Sequence, residues 1–202
     1  MSQTVITAKD VKALRDRTGA PILACREALN EAEGDIERAV DILRARGEAQ
    51  AAKRAGAEAR EGVVQSYIHA GNKIGVLVEV DCQTDFVARN EKFIEFARDL
   101  ALHIAASPTT VAVSEEDIPP GEREREERIA AEQLANVPEQ ARDRAIAGKM
   151  ESWLDEVVLL RQKHVNEDKH GGKTIEELRA ALVSETGENI VIRRFARFAV
   201  GA

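Results

Sequence analysis

Between Val63 and Val80 the rhythm of the chain changes, and that change restricts what it can fold into. Val63, Val64, Tyr67 and Ile68, then Ile74, Val76, Leu77, Val78 and Val80, form two runs rich in β-branched residues. The turn signal Ala70-Gly71-Asn72-Lys73 stands between them, which predicts a β-hairpin. Near the end, Ile190, Val191, Ile192, Phe195, Phe198 and Val200 predict a third strand. Almost everything else has helical spacing. A central antiparallel sheet of three strands covered by helices follows, so the expected class is α+β.

Ahead of the hairpin the pattern predicts three short helices. Thr7 can cap the first, with Asp10 three residues on as a short-armed capping-box partner. Val11 and Leu14 give it an apolar stripe, and Gly19 is expected to stop it. Pro21 suits the first turn of a second helix carrying Ile22, Leu23, Cys25, Ala28 and Leu29. Asp35 opens a third, in which Ile36, Ala39, Val40 and Leu43 recur at helical spacing, with Gly47 as its expected end. Residues 1–47 therefore read as a small three-helix domain. Residues 48–61, rich in Ala, Lys, Arg and Glu without a large apolar residue, read as a connector.

Residues 62–202 read as the α+β core. Asn90 can cap a helix carrying Phe93, Ile94, Ala97, Leu100, Ala101 and Ile104 along one face. Pro108 and Pro119-Pro120 bound a loop. A charged helical insertion covers about 122–170, with expected interruptions at Pro138 and Gly148. Gly171-Gly172 resets the chain, and Thr174 with Glu177 marks the start of a last helix.

A chain of 202 residues that is 44% hydrophobic can bury a substantial core, and with only 3% aromatics that core must be mostly aliphatic. A net charge of −7 and the lack of any basic run interleaved with aromatics argue against direct nucleic-acid binding. Met1–Asp10 has no apolar stretch behind basic residues, so no signal peptide is expected, and no segment is apolar enough for a membrane. Cys25 and Cys82 stand apart without metal-ligand spacing, which suits a reducing, cytoplasmic setting. His69, His103, His164 and His170 are scattered in sequence, with His103 expected to pack on its helix. No phosphate loop, nucleophile elbow or zinc-protease motif occurs, so no catalytic residue, metal or cofactor is expected.

One segment is unusual. Asp81-Cys82-Gln83-Thr84-Asp85-Phe86-Val87-Ala88 ends an apolar strand in a polar cluster followed by an aromatic. Two readings stand side by side. In one it is a strand-to-helix turn with Asp85 as cap and Phe86 packed inward. In the other it presents an acid and an aromatic to a partner.

The run Cys82 to Ala88 resembles the signature of the elongation factor Ts family. So do Val11 to Arg15, Thr18-Gly19-Ala20, Cys25 to Leu29, Gly34-Asp35-Ile36, Ala39-Val40, Gly187 to Ile190 and Arg193-Arg194-Phe195, all in order. The resemblance implies an N-terminal three-helix domain like ubiquitin-associated domains, then an α+β core with a helical hairpin insertion. It implies a guanine nucleotide exchange factor, not an enzyme, that binds elongation factor Tu in its GDP-bound and nucleotide-free forms. Carried over, Thr84, Asp85, Phe86 and Val87 would wedge near the GTPase's magnesium site, and Arg15, Ile22 and Leu23 would hold its nucleotide-binding domain. Longer members have two related core halves; here the hairpin pattern occurs once, so by analogy with short members a noncovalent homodimer is expected. Lys163-His164 stands where the family usually has Pro-Phe. Two other readings are a ubiquitin-like-binding adaptor, permitted by the three helices alone, and an enzyme using Asp81 and Asp85.

Overall fold

The computed structural model describes residues 6–201, apart from the side chain of Glu48. The readings made on residues 1–5, including part of the expected leaderless N-terminus, and on Ala202 lie outside the described residues. The described residues form two compact units, each assembled from separated stretches: residues 6–64, 79–97 and 177–191 in one, and 65–78, 98–176 and 192–201 in the other.

The first unit begins with α1 (Ala8–Thr18), α2 (Ile22–Glu31) and α3 (Ile36–Arg54). Thr7 and Asp10 form the expected capping box: Asp10 N–H donates to Thr7 Oγ1 at 3.3 Å and Thr7 N–H to Asp10 Oδ2 at 2.9 Å. Gly19 ends α1 at φ 71°, a conformation that a Cβ would disfavour. Leu14, Cys25, Ala28, Leu29, Ala32 and Ala39 make a closed aliphatic core. Only one side of α2 enters it, so Ile22 and Leu23 are left exposed, 59% and 56%.

Gly47 does not end the third helix. α3 continues to Arg54 and buries Ala51. A helical glycine costs only about 1 kcal/mol relative to alanine, and packing outweighs it. Here Gly47 lies near the backbone of Ala180, and Arg44 reaches Glu177 at 3.2 Å.

Next come β1 (Glu61–Ile68) and β2 (Ile74–Cys82). Their turn uses positive φ at both Gly71 (90°) and Asn72 (57°), the demand that Gly and Asn meet most readily. After β2 come α4 (Asp85–Ala88) and α5 (Glu91–Ala106), which starts in the first unit and ends in the second. α5 buries Phe93, Ala97, Leu100, Ala101 and Ile104, the face expected from their spacing.

In the second unit, α6 (Glu122–Gln133) and α7 (Glu139–Val157) form the helical hairpin. Arg142 closes its tip by donating to the carbonyls of Ala135 and Val137 at 2.9 and 3.0 Å. α7 passes straight through Gly148, which is exposed with nothing crowding it, so the expected interruption there is absent. At the base, the Arg161 guanidinium reaches Asp155, Glu115 and Glu151 at 2.7, 2.8 and 2.5 Å. These three carboxylates hold its pKa above even the usual arginine range. α8 (Glu167–His170), α9 (Ile175–Thr186) and β3 (Val191–Ala199) complete the chain, and the sheet order is β1-β2-β3. The α+β class, the N-terminal helices and the hairpin of helices all match the sequence expectation.

Gly62 and Gly148 give a paired test of this packing. A Cβ on Gly62 would lie 2.3 Å from the Val80 carbonyl oxygen and 2.8 Å from Asp81 Cα, both backbone atoms that cannot swing away. Gly62→Ala should lower unfolding free energy by about 2–4 kcal/mol through this overpacking. Gly148→Ala should raise it by about 0.5–1 kcal/mol. Urea unfolding monitored by circular dichroism measures both.

Candidate functional site

β2 delivers the unusual segment to the surface, and hydrogen bonds fix its shape. Thr84, not Asp85, is the cap of α4: its backbone is extended (φ −128°, ψ 153°) and its Oγ1 accepts the Val87 N–H at 3.4 Å. The same hydroxyl donates to Glu188 Oε1 at 2.6 Å. The other carboxylate oxygen, Glu188 Oε2, accepts the N–H groups of Gln83 and Thr84 at 3.0 and 3.1 Å. One carboxylate 105 residues away thus takes three bonds from two consecutive residues.

The clamp continues on both sides. Asn189 N–H donates to Gln83 Oε1 at 3.0 Å, and Asn189 Nδ2 donates to the Ala57 carbonyl at 2.8 Å. Cys82 Sγ donates to the Thr84 carbonyl at 3.2 Å. Burial, and then the negative charge of Glu188, push the Cys82 thiol up to about 11. It stays protonated at neutral pH and keeps its donor role. Lys92 of α5 pairs with Glu185 of α9, tying down the helix that follows.

The result is a turn held by many hydrogen bonds, with one conspicuous side chain. Ala88 is buried and Val87 half-buried, while Phe86 is 81% exposed. The inward-packing reading of Phe86 is therefore overturned: with Thr84 as cap, the first turn of α4 directs residue 86 away from the core. Asp85 sits beside it, 3.0 Å from Arg89 one turn on. An isolated exposed phenylalanine forfeits about 1.5–3 kcal/mol of burial unless something covers it.

Thr84, Asp85, Phe86 and Val87 are thus adjacent on one short helix and its cap. Arg15, Ile22 and Leu23 lie on α1 and α2, all exposed around the Gly19 turn. The sequence reading missed Glu188, Gln83 and Asn189 as the clamp. Each lies in a motif it had noted, yet nothing local couples residues so far apart. Among the described residues no group of three or more His, Cys, Asp or Glu is placed to hold a metal ion. Among them, too, no helix is long and apolar enough to cross a membrane.

A family model described as "Elongation factor TS" matches residues 23–171. The elongation factor Ts of Desulfotalea psychrophila is 50% identical over 200 residues, covering 98% of this chain and 99% of that protein. The chain belongs to the elongation factor Ts family. The elongation factor Ts of Caldanaerobacter subterraneus is 46% identical, with 98% of each chain covered. That of Thermosynechococcus vestitus is 48% identical over 97% of this chain but only 66% of its own length. Elongation factor Ts proteins serve translation as nucleotide exchange factors for elongation factor Tu.

Removing the clamp and removing the presented ring should have opposite signatures. Glu188→Gln should raise amide exchange at Gln83 and Thr84 at least tenfold, since a neutral amide cannot replace a carboxylate accepting three donors. Phe86→Ala should leave unfolding free energy within about 0.5 kcal/mol, as expected for an exposed side chain. Hydrogen-exchange mass spectrometry and urea unfolding read the two.

Proposed function

We propose that this chain releases GDP from elongation factor Tu by inserting Phe86, with Asp85 beside it and Thr84 and Val87 flanking, between two helices of the GTPase near its magnesium site. The observation that carries this reading is the presentation of Phe86: a large apolar ring left in solvent on a turn held by Glu188. A ring so pre-organised loses little freedom when a partner's pocket closes over it.

The driving force is linkage. GDP is held by backbone N–H groups at a helix N-terminus and by a bridging magnesium ion. A factor that binds the nucleotide-free form more tightly must weaken nucleotide binding by the same ratio. Each ~1.4 kcal/mol of differential contact is tenfold, so burying Phe86 only in the nucleotide-free complex supplies one to two such units. No covalent bond is made or broken by the factor itself. Arg15, Ile22 and Leu23 supply a second contact, with residues 1–47 as the docking part, 48–61 as connector and 62–202 as the exchange and dimerisation core. The setting is the cytoplasm, without direct contact to nucleic acid.

The homodimer rests on the sheet. Ile68, Leu77, Phe198 and Val200 are exposed large apolar residues of the second unit. The bond from Val200 N–H to the Lys73 carbonyl, 2.9 Å, sets the register and puts Phe198 across from Gly75. Gly75 in turn lies under Ile68, 3.1 Å from where its Cβ would be. An apolar sheet face of this kind calls for a cover, and a second copy of the same face is the simplest one.

Release of a fluorescent GDP analogue from elongation factor Tu tests the exchange reading. Wild-type protein should accelerate release catalytically, Phe86→Ala should lose at least tenfold of that, and Asp85→Ala a smaller share. Release at the spontaneous rate with wild type would refute it. For the dimer, sedimentation at micromolar concentration should give twice the chain mass, falling to the monomer in Leu77→Asp; a wild-type monomer would count against it.

A further inference from the structure

The histidines that look scattered in the sequence meet in the second unit. His103 and His164 are both almost fully buried, with ring centroids 5.3 Å apart, and His164 and His170 are 4.1 Å apart. They join α5 to the segment 162–170, which runs from the turn after α7 into α8.

The hydrogen bonds fix the proton on each of the two buried rings. Gln162 Nε2 donates to the Glu156 carbonyl at 2.5 Å, and a carbonyl can only accept, so Gln162 must turn Oε1 toward His103. His103 Nε2 then carries the hydrogen and donates at 2.8 Å, leaving Nδ1 to accept the Val165 N–H at 3.2 Å. The same logic holds for His164. Its Nε2 donates to the Asp99 carbonyl at 3.1 Å, and its Nδ1 accepts the Asn166 N–H at 3.0 Å. Two consecutive backbone N–H groups of the segment are therefore received by two neutral imidazoles. Neither Nδ1 can take a proton without setting N–H against N–H.

We propose that His103 and His164 form an acid-sensitive latch, which when neutral holds residues 162–170 on α5 and when protonated at Nδ1 releases them. Release removes the acceptors of the Val165 and Asn166 N–H groups, and the second positive ring would lie close to the first. The cavity of about 750 Å³ beside His103, also lined by Thr109, Lys163, Val165 and Thr174, has the segment as one wall and would open with it.

The charged surroundings do not cancel this. From α5, Asp99 faces His164 and His170, and its carboxylate also takes Lys169 Nζ at 2.7 Å and lies 3.2 Å from His170 Nε2. From the segment come Lys163, Lys169 and His170. From α7 and the turn after it, Asp155, Glu156 and Arg161 line the cavity with His103, and Arg197 of β3 reaches the Ala105 carbonyl. Burial is the largest influence on all three rings and lowers each below the ordinary histidine value. The Asp99 charge opposes this at His164 and His170, while the charge of Lys169 adds to it. With the closed-state value lowered, the open state binds more protons. The latch is therefore fully effective above about pH 6.5 and is lost as pH falls through the lowered values.

The test is amide hydrogen exchange by NMR on the full-length protein at pH 7.5 and 5.0, corrected for intrinsic rates, with ¹⁵N shifts of the imidazoles followed across the same range. Protection of the Val165 and Asn166 amides should fall at least tenfold, with a midpoint coinciding with Nδ1 protonation. In His103→Gln/His164→Gln the protection, whatever its level, should change less than twofold with pH. Wild-type protection constant within twofold, a ring midpoint displaced from the loss of protection, or an equal fall in the double variant would each overturn the latch. The two wild-type readouts decide the matter even where the double variant does not fold.

Discussion

The turn from Gln83 to Val87 depends on the carboxylate of Glu188. A strand that leaves a sheet and turns at once into a helix exposes backbone N–H groups that neither element satisfies. Here Glu188 accepts two of them and the Thr84 hydroxyl as well, with Asn189 and Gln83 closing the other side. Charge-assisted bonds of this kind are about twice as strong as neutral ones. Without the clamp, the Gln83 and Thr84 N–H groups would lose their shared acceptor, and the turn would rest on the Cys82 thiol, the capping bond at Val87 and the backbone bonds of the short α4.

In the proposed reading, that constraint links the fold to nucleotide exchange. A wedge works by being more favourable in one state of its partner than in another, and a flexible wedge spends much of that difference on its own ordering. The clamp orders the turn in advance, on a unit whose core is mostly aliphatic, with Phe93 as its buried aromatic. In the proposed reading, the exposed Phe86 is a cost in the free protein that the GTPase surface removes. The same account explains why the exposed apolar residues are unequal in meaning: Ile22 and Leu23 sit on the open side of a helix whose other side is filled, whereas Phe86 is held out by a dedicated set of hydrogen bonds.

Much of the fold was legible from local pattern. The Gly71-Asn72 turn, the Thr7 capping box, the buried face of α5 and the start of β3 each follow from short-range chemistry. The glycines at 47 and 148 misled, because a helix tolerates one glycine when its neighbours pack or when it is merely exposed. The turn at Asp85 misled for a different reason: Thr84 is an equally good cap, and choosing between them moves every following side chain by about 100° around the helix. The clamp and the histidine cluster were invisible because their members are far apart in sequence and meet only through the topology. His103, His164 and His170 gave no shared period to read.

The most direct test of the central claim is a double-mutant cycle on accelerated GDP release from elongation factor Tu, using Glu188→Gln, Phe86→Ala and both together. If Glu188 acts by presenting Phe86, losing the clamp should matter little once the ring is gone, and the double variant should match Phe86→Ala within about twofold. Fully multiplicative losses would show that the two residues act independently, and would contradict the account.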